Sequence, residues 1–565
     1  MKINNIIFIA GLVGIGMTAM SCADDFLDQK NTTSLNQNTF FDSDNAVKEA
    51  TSTLYNYVWN SFNGKLYYSM GDGRSNNITA QWSNYIKVYT NFNETSLSEG
   101  LQEGWGSLYS VVAQSNNVIN NIKMKSSSAV SENAKNQGIA EARFMRGLAY
   151  WYLASLWGNV ILYENTSDLV NHYVVPTNPR ADVMEFAIRD MEFAAKYLPT
   201  VAPETGRVNK YSAFGMLSRF YLSMAGLTTE GQYNGTNVAT NFNRGIRNPY
   251  YLNLARMAAE KVIKESDFKL MSNYASLFKI ANNNCSEDMF QLQWLTGSTD
   301  AIGWGCNQDI TSFFGWSTMV SDGTNWGGAT CCSWNLFNEY ESSDLRRHES
   351  VASYGDYYAD INIKGGGYTY GVTESASTNG ANIKKYVVGT HDDNGVSYKQ
   401  SSGINTHMLR LAEVYLNLAE AILGNNASTT DAEALQYFNA VRTRAGLEPK
   451  SVIDNEALRH ERRMEFAFEG LYWYDLVNRA YYKQQEVVNY LNNQDRNRTY
   501  KYDSGSASYK PSEKPGTGVA TATAASMLLP YSDADQNKNH YLKSNATPMA
   551  YNFGSREVDE ATLFE

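Results

Sequence analysis

The residues best suited to chemistry in this chain are aromatic rings set among amides. One group runs from Met70, Gly71, Asp72, Gly73 and Arg74 to Trp82, Asn84 and Tyr85. A second strings Trp294, Trp304, Trp316, Trp326 and Trp334 through a stretch rich in Gly and Asn. The C–H faces of a sugar ring stack on indole and phenol rings, each contact contributing on the order of 1 kcal/mol, so several rings must act together. Asn supplies donors and acceptors to neutral hydroxyls. Asp72 and Arg74 are expected to reach such hydroxyls through charge-assisted hydrogen bonds. Composition points the same way, with 39 Tyr and 11 Trp but only 19% charged residues, although this enrichment also fits an exported protein with long loops. A net charge of -11 opposes binding to phosphate backbones or anionic headgroups, so no nucleic-acid partner is expected. Any single Trp in these stretches can instead pack a loop core. Trp334, followed by the apolar Leu336 and Phe337, is expected in the core, as are Trp151 and Trp157.

A catalytic reading starts from Glu461, Glu465 and Glu469, spaced four apart as on one helix face, where paired carboxylates can serve as acid and base. Arg459, Arg462 and Arg463 lie within one turn and would keep those carboxylates ionised and paired. Glu413 and Glu420 with Arg410 read in the same way, as ties within a helical stack. The sequence carries no HExxH zinc motif, no GxSxG elbow and no phosphate loop, and the Gly365, Gly366, Gly367 run leads into Tyr368 rather than a Lys-Ser/Thr pair. Binding without turnover follows, with no catalytic residue, cofactor or metal expected.

The first residues carry Lys2, a largely apolar run from Ile6 to Met20, and then Ser21, Cys22, Ala23, Asp24 and Asp25. The apolar run is too short to span a bilayer, so residues 1–21 are expected to be an export signal and Cys22 the lipidated first residue of the mature protein. Cys285, Cys306, Cys331 and Cys332 share one Trp-rich segment, where free thiols or one or two loop disulfides are both open. Their spacing matches no zinc pattern.

These residues need elements to hold them. Apolar residues recur at helical spacing from Glu132 to Trp157, stopped by Gly158; from Val183 to Tyr197, ending before Pro199; and from Tyr211 to Ala225, ending at Gly226. They recur again from Leu252 to Lys264, from Leu409 to Leu423 before Gly424, and from Ala432 to Arg444 before Gly446. Small residues at Ala149, Ala213, Ala258 and Ala419 would let antiparallel helices approach closely, as in tetratricopeptide packing without a clean 34-residue period. Residues 281–406 lack helical rhythm and read as long loops with short strands.

The run Ile139–Leu153, closing on Leu156, Trp157 and Gly158, resembles the N-terminal signature of the SusD/RagB family of outer-membrane nutrient-binding lipoproteins. Leu409–Ala421, Phe438–Leu447, Glu461–Gly470, the Tyr474, Asp475, Leu476 triplet, Leu529 with Pro530, and Gln536–Asn539 resemble its C-terminal segments, in order. The resemblance implies a mostly α protein: tetratricopeptide-like helix pairs in one SusD-like body with long irregular loops and a few short strands. The regions would be 22–230, with the early ligand loop and first helix pairs, and 231–565, with further pairs and the central ligand loops 281–406. It implies lipid anchoring on the extracellular face of the outer membrane, and capture of an oligosaccharide for a SusC-like TonB-dependent transporter partner. By resemblance to starch-binding members, Trp82 with Asn84, Trp304 and Trp326 match the ligand surface best, with Tyr85, Asp72 and Arg74 beside them. A peptide-binding lid of a RagAB-like transporter, a non-transport helical scaffold and a glycosidase are the other classes left open.

Overall fold

The computed structural model describes residues 40–80, 83–170, 172–295, 310–316, 319, 329–371, 380–397, 402–543 and 545–565. Cys22, Trp82, Trp304, Cys306 and Trp326 lie outside these residues.

After α1 (Asp44–Ser52) and the short α2 (Asn84–Thr90), the scaffold is a run of helices: α3 (Leu101–Lys125), α4 (Glu132–Trp157), α5 (Arg180–Tyr197), α6 (Lys210–Leu227) and α7 (Pro249–Glu265). It continues as α8 (Leu411–Leu423), α9 (Ala432–Arg444), α10 (Asn455–Phe466) and α11 (Tyr472–Asn493). From α3 to α9 each helix packs on the next, and from α4 onward this is the stack of pairs that the spacing predicts. The boundaries are chemical. Ser131 Oγ accepts the Ala134 N–H at the start of α4, and Gly158, at φ +77°, ends it where a residue with a Cβ would be strained. Asn248 caps α7, which opens on Pro249, and Asp431 caps α9. Ala149, Ala213, Ala258 and Ala419 are all fully buried at the crossings. Gly147 shows how tight these are: a Cβ there would sit 2.9 Å from the Ala187 carbonyl oxygen of α5.

The structure departs from the sequence reading in places. Helix α3 was not expected, because its polar face carries Ser, Asn and Gln that mute the apolar period. Leu409 and Arg410 belong to a strand, not to the start of α8. The fully buried strand β4 (Thr406–Arg410) runs straight into the helix, so one apolar stretch covers both periods. β4 pairs antiparallel with β2 (Asp288–Leu292). The other pairs relevant here are β1 (Ile78–Ala80) with β3 (Thr330–Cys332) and the hairpin β5 (Tyr500–Asp503) with β6 (Ser508–Pro511). One apolar core extends from Phe41 to Leu563, and a second, smaller one lies around α8 and α9.

Where the two meet, carboxylates and cations are buried together. Arg410 reaches Glu287 at 2.5 Å, Glu465 at 2.9 Å and Glu469 at 2.6 Å. Arg444 pairs with Glu287 and Glu465, Arg346 with Asp344 and Glu461, and Lys385 with Glu469. The expectation of paired rather than catalytic carboxylates holds, but the partners differ from those expected. Arg462 turns to Asp475, Arg463 to Glu339 and Arg459 to Glu456, while Glu413 pairs with Arg219 and Glu420 with Arg247. Helix α10 also ends at Phe466, so Glu469 lies beyond it and is not on a shared helix face.

Candidate functional site

The early segment is built around a close backbone crossing. Two π-helical turns, Phe62–Tyr67 and Ser69–Arg74, bring Gly71 against Gly470, where a Cβ would lie 2.1 Å from the Gly470 carbonyl carbon. The glycine in front of Asp72 is thus required by packing. Asp72 is fully buried; its carboxylate accepts from Asn77 Nδ2 (2.9 Å) and from the backbone N–H groups of Phe468 (2.7 Å) and Gly470 (2.8 Å). Burial pushes its carboxyl up to about 6, against the pull of these three donors. Arg74 is also fully buried, ion-paired with Glu94, bonded to the Ser526 carbonyl, and held between the rings of Phe92 (5.1 Å) and Trp473 (4.7 Å). The expectation that Asp72 and Arg74 reach ligand hydroxyls is therefore corrected. Asp72 is held by Asn77 and by backbone about 400 residues away, Arg74 by Glu94 and by the distant Ser526 carbonyl, and neither has a face toward solvent.

Asn84 is different: it is exposed, at the first turn of α2. Tyr85 follows it in the same helix. Of the central aromatics, Trp294 is corrected from the ligand group to the core: it is 5% exposed, with Nε1 donating to Thr406 Oγ1 at 2.9 Å. Trp316 is half-buried against the core. Trp334 is half-buried, packed on Phe337 and Tyr500 as the sequence suggested, and Trp151 and Trp157 lie inside the stack. Cys285, Cys331 and Cys332 are free thiols.

The elements flanking the candidate loops converge. In the β1–β3 ladder Ala80 pairs with Thr330, Thr79 with Cys331 and Ile78 with Cys332. The ladder is fixed at its other end by Ser333, whose N–H donates to the Asn77 carbonyl and whose Oγ donates to the Asn76 carbonyl. Arg463 of α10 bonds Asn76 and Asn77 from beneath. Thr330 Oγ1 in turn donates to the Phe313 carbonyl (2.7 Å), seating the short helix Ile310–Phe314 on the same strand. Ala80 is two residues before Trp82, Thr330 is four after Trp326, and Ile310 is six after Trp304. The chain therefore enters or leaves the three candidate segments at one small patch.

A groove of about 430 Å³ opens beside that patch, bordered by Thr79 and Ala80 of β1, Lys87 of α2 and the stretch around Arg498 and Lys514. Its far wall is pinned by Tyr500, whose hydroxyl donates to the Cys332 carbonyl (2.8 Å) and accepts from Ala381 N–H (3.1 Å). Sequence reasoning missed this wall. The signal available was the Asp503-Ser504-Gly505 turn between two Tyr-bearing alternating stretches, which reads as a hairpin.

A family model described as "SusD family" matches residues 308–548, and one described as "Starch-binding associating with outer membrane" matches residues 25–222. A SusD-like protein of Bacteroides ovatus is 36% identical over 566 residues, covering 96% of this chain and 98% of that relative. The chain belongs to the SusD family. Two solved structures with 34% identity to this SusD-family chain superpose on it with TM-scores of 0.82 and 0.79. They cover 91% and 90% of it and 100% of their own chains, and the second was solved with a xylogluco-oligosaccharide. The mostly α fold with short strands is thus a SusD-like fold. Among the described residues no helix is long and apolar enough to cross a membrane.

Proposed function

We propose that this SusD-family protein binds an oligosaccharide at the cell surface and delivers it to a SusC-like TonB-dependent transporter, held at the outer membrane by a lipid on Cys22. The observation that carries this reading is the convergence of β1, β3 and the helix Ile310–Phe314. The described residues that flank Trp82, Trp304 and Trp326 in the sequence meet there, which supports a platform built from the three segments together with Asn84 and Tyr85 of α2. A similar structure holding a xylogluco-oligosaccharide supports a glycan ligand. The protein binds and does not turn over its ligand. Glu461, Glu465 and Glu469 are buried in ion pairs, and burial alone would push the Glu469 carboxyl up, but Arg410 and Lys385 overcome it and hold it at about 2. A group so acidic and enclosed donates no proton to a glycosidic oxygen at neutral pH. Exposed stacking returns about 4 to 8 kcal/mol net, so affinity is expected in the micromolar to millimolar range. Titration of a xylogluco-oligosaccharide and a panel of other neutral oligosaccharides into wild type and into Trp82→Ala, Trp304→Ala and Trp326→Ala tests the platform. At least one glycan is expected to bind and to weaken about tenfold in each variant with the fold intact; unchanged affinity in all three removes the platform.

A further inference from the structure

The groove between β1, α2 and the chain around the β5–β6 hairpin has a charge opposite to that of the protein. The chain carries -11 overall, yet the described residues lining this cavity include Lys87, Arg498 and Lys514 and no Asp or Glu. Asp495 stands 3.4 Å from Arg498 as a partner, both side chains being partly exposed. Lys87 and Lys514 have no ion-pair partner among the described residues, whereas the buried Arg410 and Arg346 each meet three acids. The cavity is also preformed. Ser512 N–H donates to the Thr499 carbonyl (2.8 Å) and Asn497 Nδ2 to the Thr517 carbonyl (2.7 Å), tying its outer wall together. Gly516 comes so close to the Arg496 carbonyl oxygen that a Cβ would lie 2.0 Å from it. These bonds fix the backbone of the wall, so the ordering cost on anion entry falls mainly on the side chains, of which Lys514 is exposed and Lys87 half-buried.

We infer that this groove is a subsite for an anionic substituent on the glycan, the carboxylate of a uronic acid or a sulfate ester. Both offer oxygens that accept charge-assisted hydrogen bonds from ammonium and guanidinium groups. The cavity is bordered by Thr79 and Ala80, at the end of β1 two residues before Trp82 in the sequence, so the groove adjoins the strand that precedes the proposed platform segment. The inference rests on the glycan-binding reading and narrows its ligand class.

Paired polymers that differ only in charge test it: polygalacturonate against its methyl ester, and dextran sulfate against dextran. At low ionic strength, wild type is expected to retain the charged member of at least one pair about tenfold more strongly, and the preference should shrink at high salt, where the Debye length falls to about 3 Å. The responsive pair tells carboxylate from sulfate. The triple variant K87Q/R498Q/K514Q, with an unchanged thermal midpoint, is expected to lose the preference. Equal or undetectable binding of the charged members at low salt overturns the subsite, as does a preference that survives in the triple variant. Trp82→Ala separates the two readings. If it weakens neutral glycans while no charge preference exists, the platform stands and the subsite falls; if the charge preference exists but Trp82→Ala changes nothing, the reverse holds.

Discussion

Two regions of this protein are rich in cations, and they have opposite characters. Around Arg410, four basic residues and five carboxylates interleave with almost no exposure, each guanidinium facing two or three acids. In the groove, three basic residues border open volume, and among the described residues Asp495 is their one ion-pair partner. Residue type is the same in both, so a count of charges does not distinguish structure from binding. What distinguishes them is whether the protein itself supplies the counter-charge. A desolvated cation must be paired for the fold to survive, whereas a cation at a solvated wall tolerates vacancy and can wait for a ligand.

The largest test of this contrast is Arg410→Met. It would leave Glu287, Glu465 and Glu469 buried with fewer partners, and it is expected to cost about 3–5 kcal/mol in urea unfolding. The groove variant described above should leave the midpoint nearly unmoved. A mild Arg410→Met would show that the buried cluster rearranges and that the comparison is overdrawn.

Acid provides a second probe of the same cluster. The folded-state carboxyl of Glu469, held at about 2, lies below its ordinary value, so its contribution is present above about pH 4.5 and is lost as pH falls through 2. Asp72 has the opposite sign: raised to about 6, it favours the folded state below its ordinary range near pH 4 and loses that contribution as pH rises through 6. The urea midpoint is expected to drop steeply between pH 4.5 and 2. An acid limb unchanged in Glu469→Gln would assign the loss to other groups.

The smallest effect concerns Asp72→Asn. It places an amide donor against the Gly470 N–H or the Asn77 and Phe468 donors, which is expected to cost about 2 kcal/mol of stability. Glycan affinity should stay within about twofold, as measured by titration, because a fully buried carboxylate with no face toward solvent should contribute less than about 0.4 kcal/mol to binding. A large loss of affinity with unchanged stability would return Asp72 to the ligand surface.

Legibility in the sequence followed the range of the interactions. Helix α9 was read to the residue because its stop and start are local: the Asp431 cap and the turn into Gly446, at φ +76°. Helix α3 was missed because its tertiary partners, such as Leu66 pressed against Gly104, supply the stability that its pattern hides. In the candidate site, Asn84 is exposed at the start of α2 while Asp72 and Arg74 are enclosed, a difference that residue type and spacing do not carry.

By itself, then, the sequence determined the helix pairs, the family and the stock of rings and amides, since caps, periodicity and motif order act over a few residues to a few turns. Only the tertiary structure decided which polar residues are enclosed, which arginine meets which glutamate, and that β1 and β3 join the early and central loops. Those outcomes depend on groups such as Gly470 and Thr330 arriving from hundreds of residues away. The free energy of a polar side chain is set by what displaces its water, and a linear pattern does not record that.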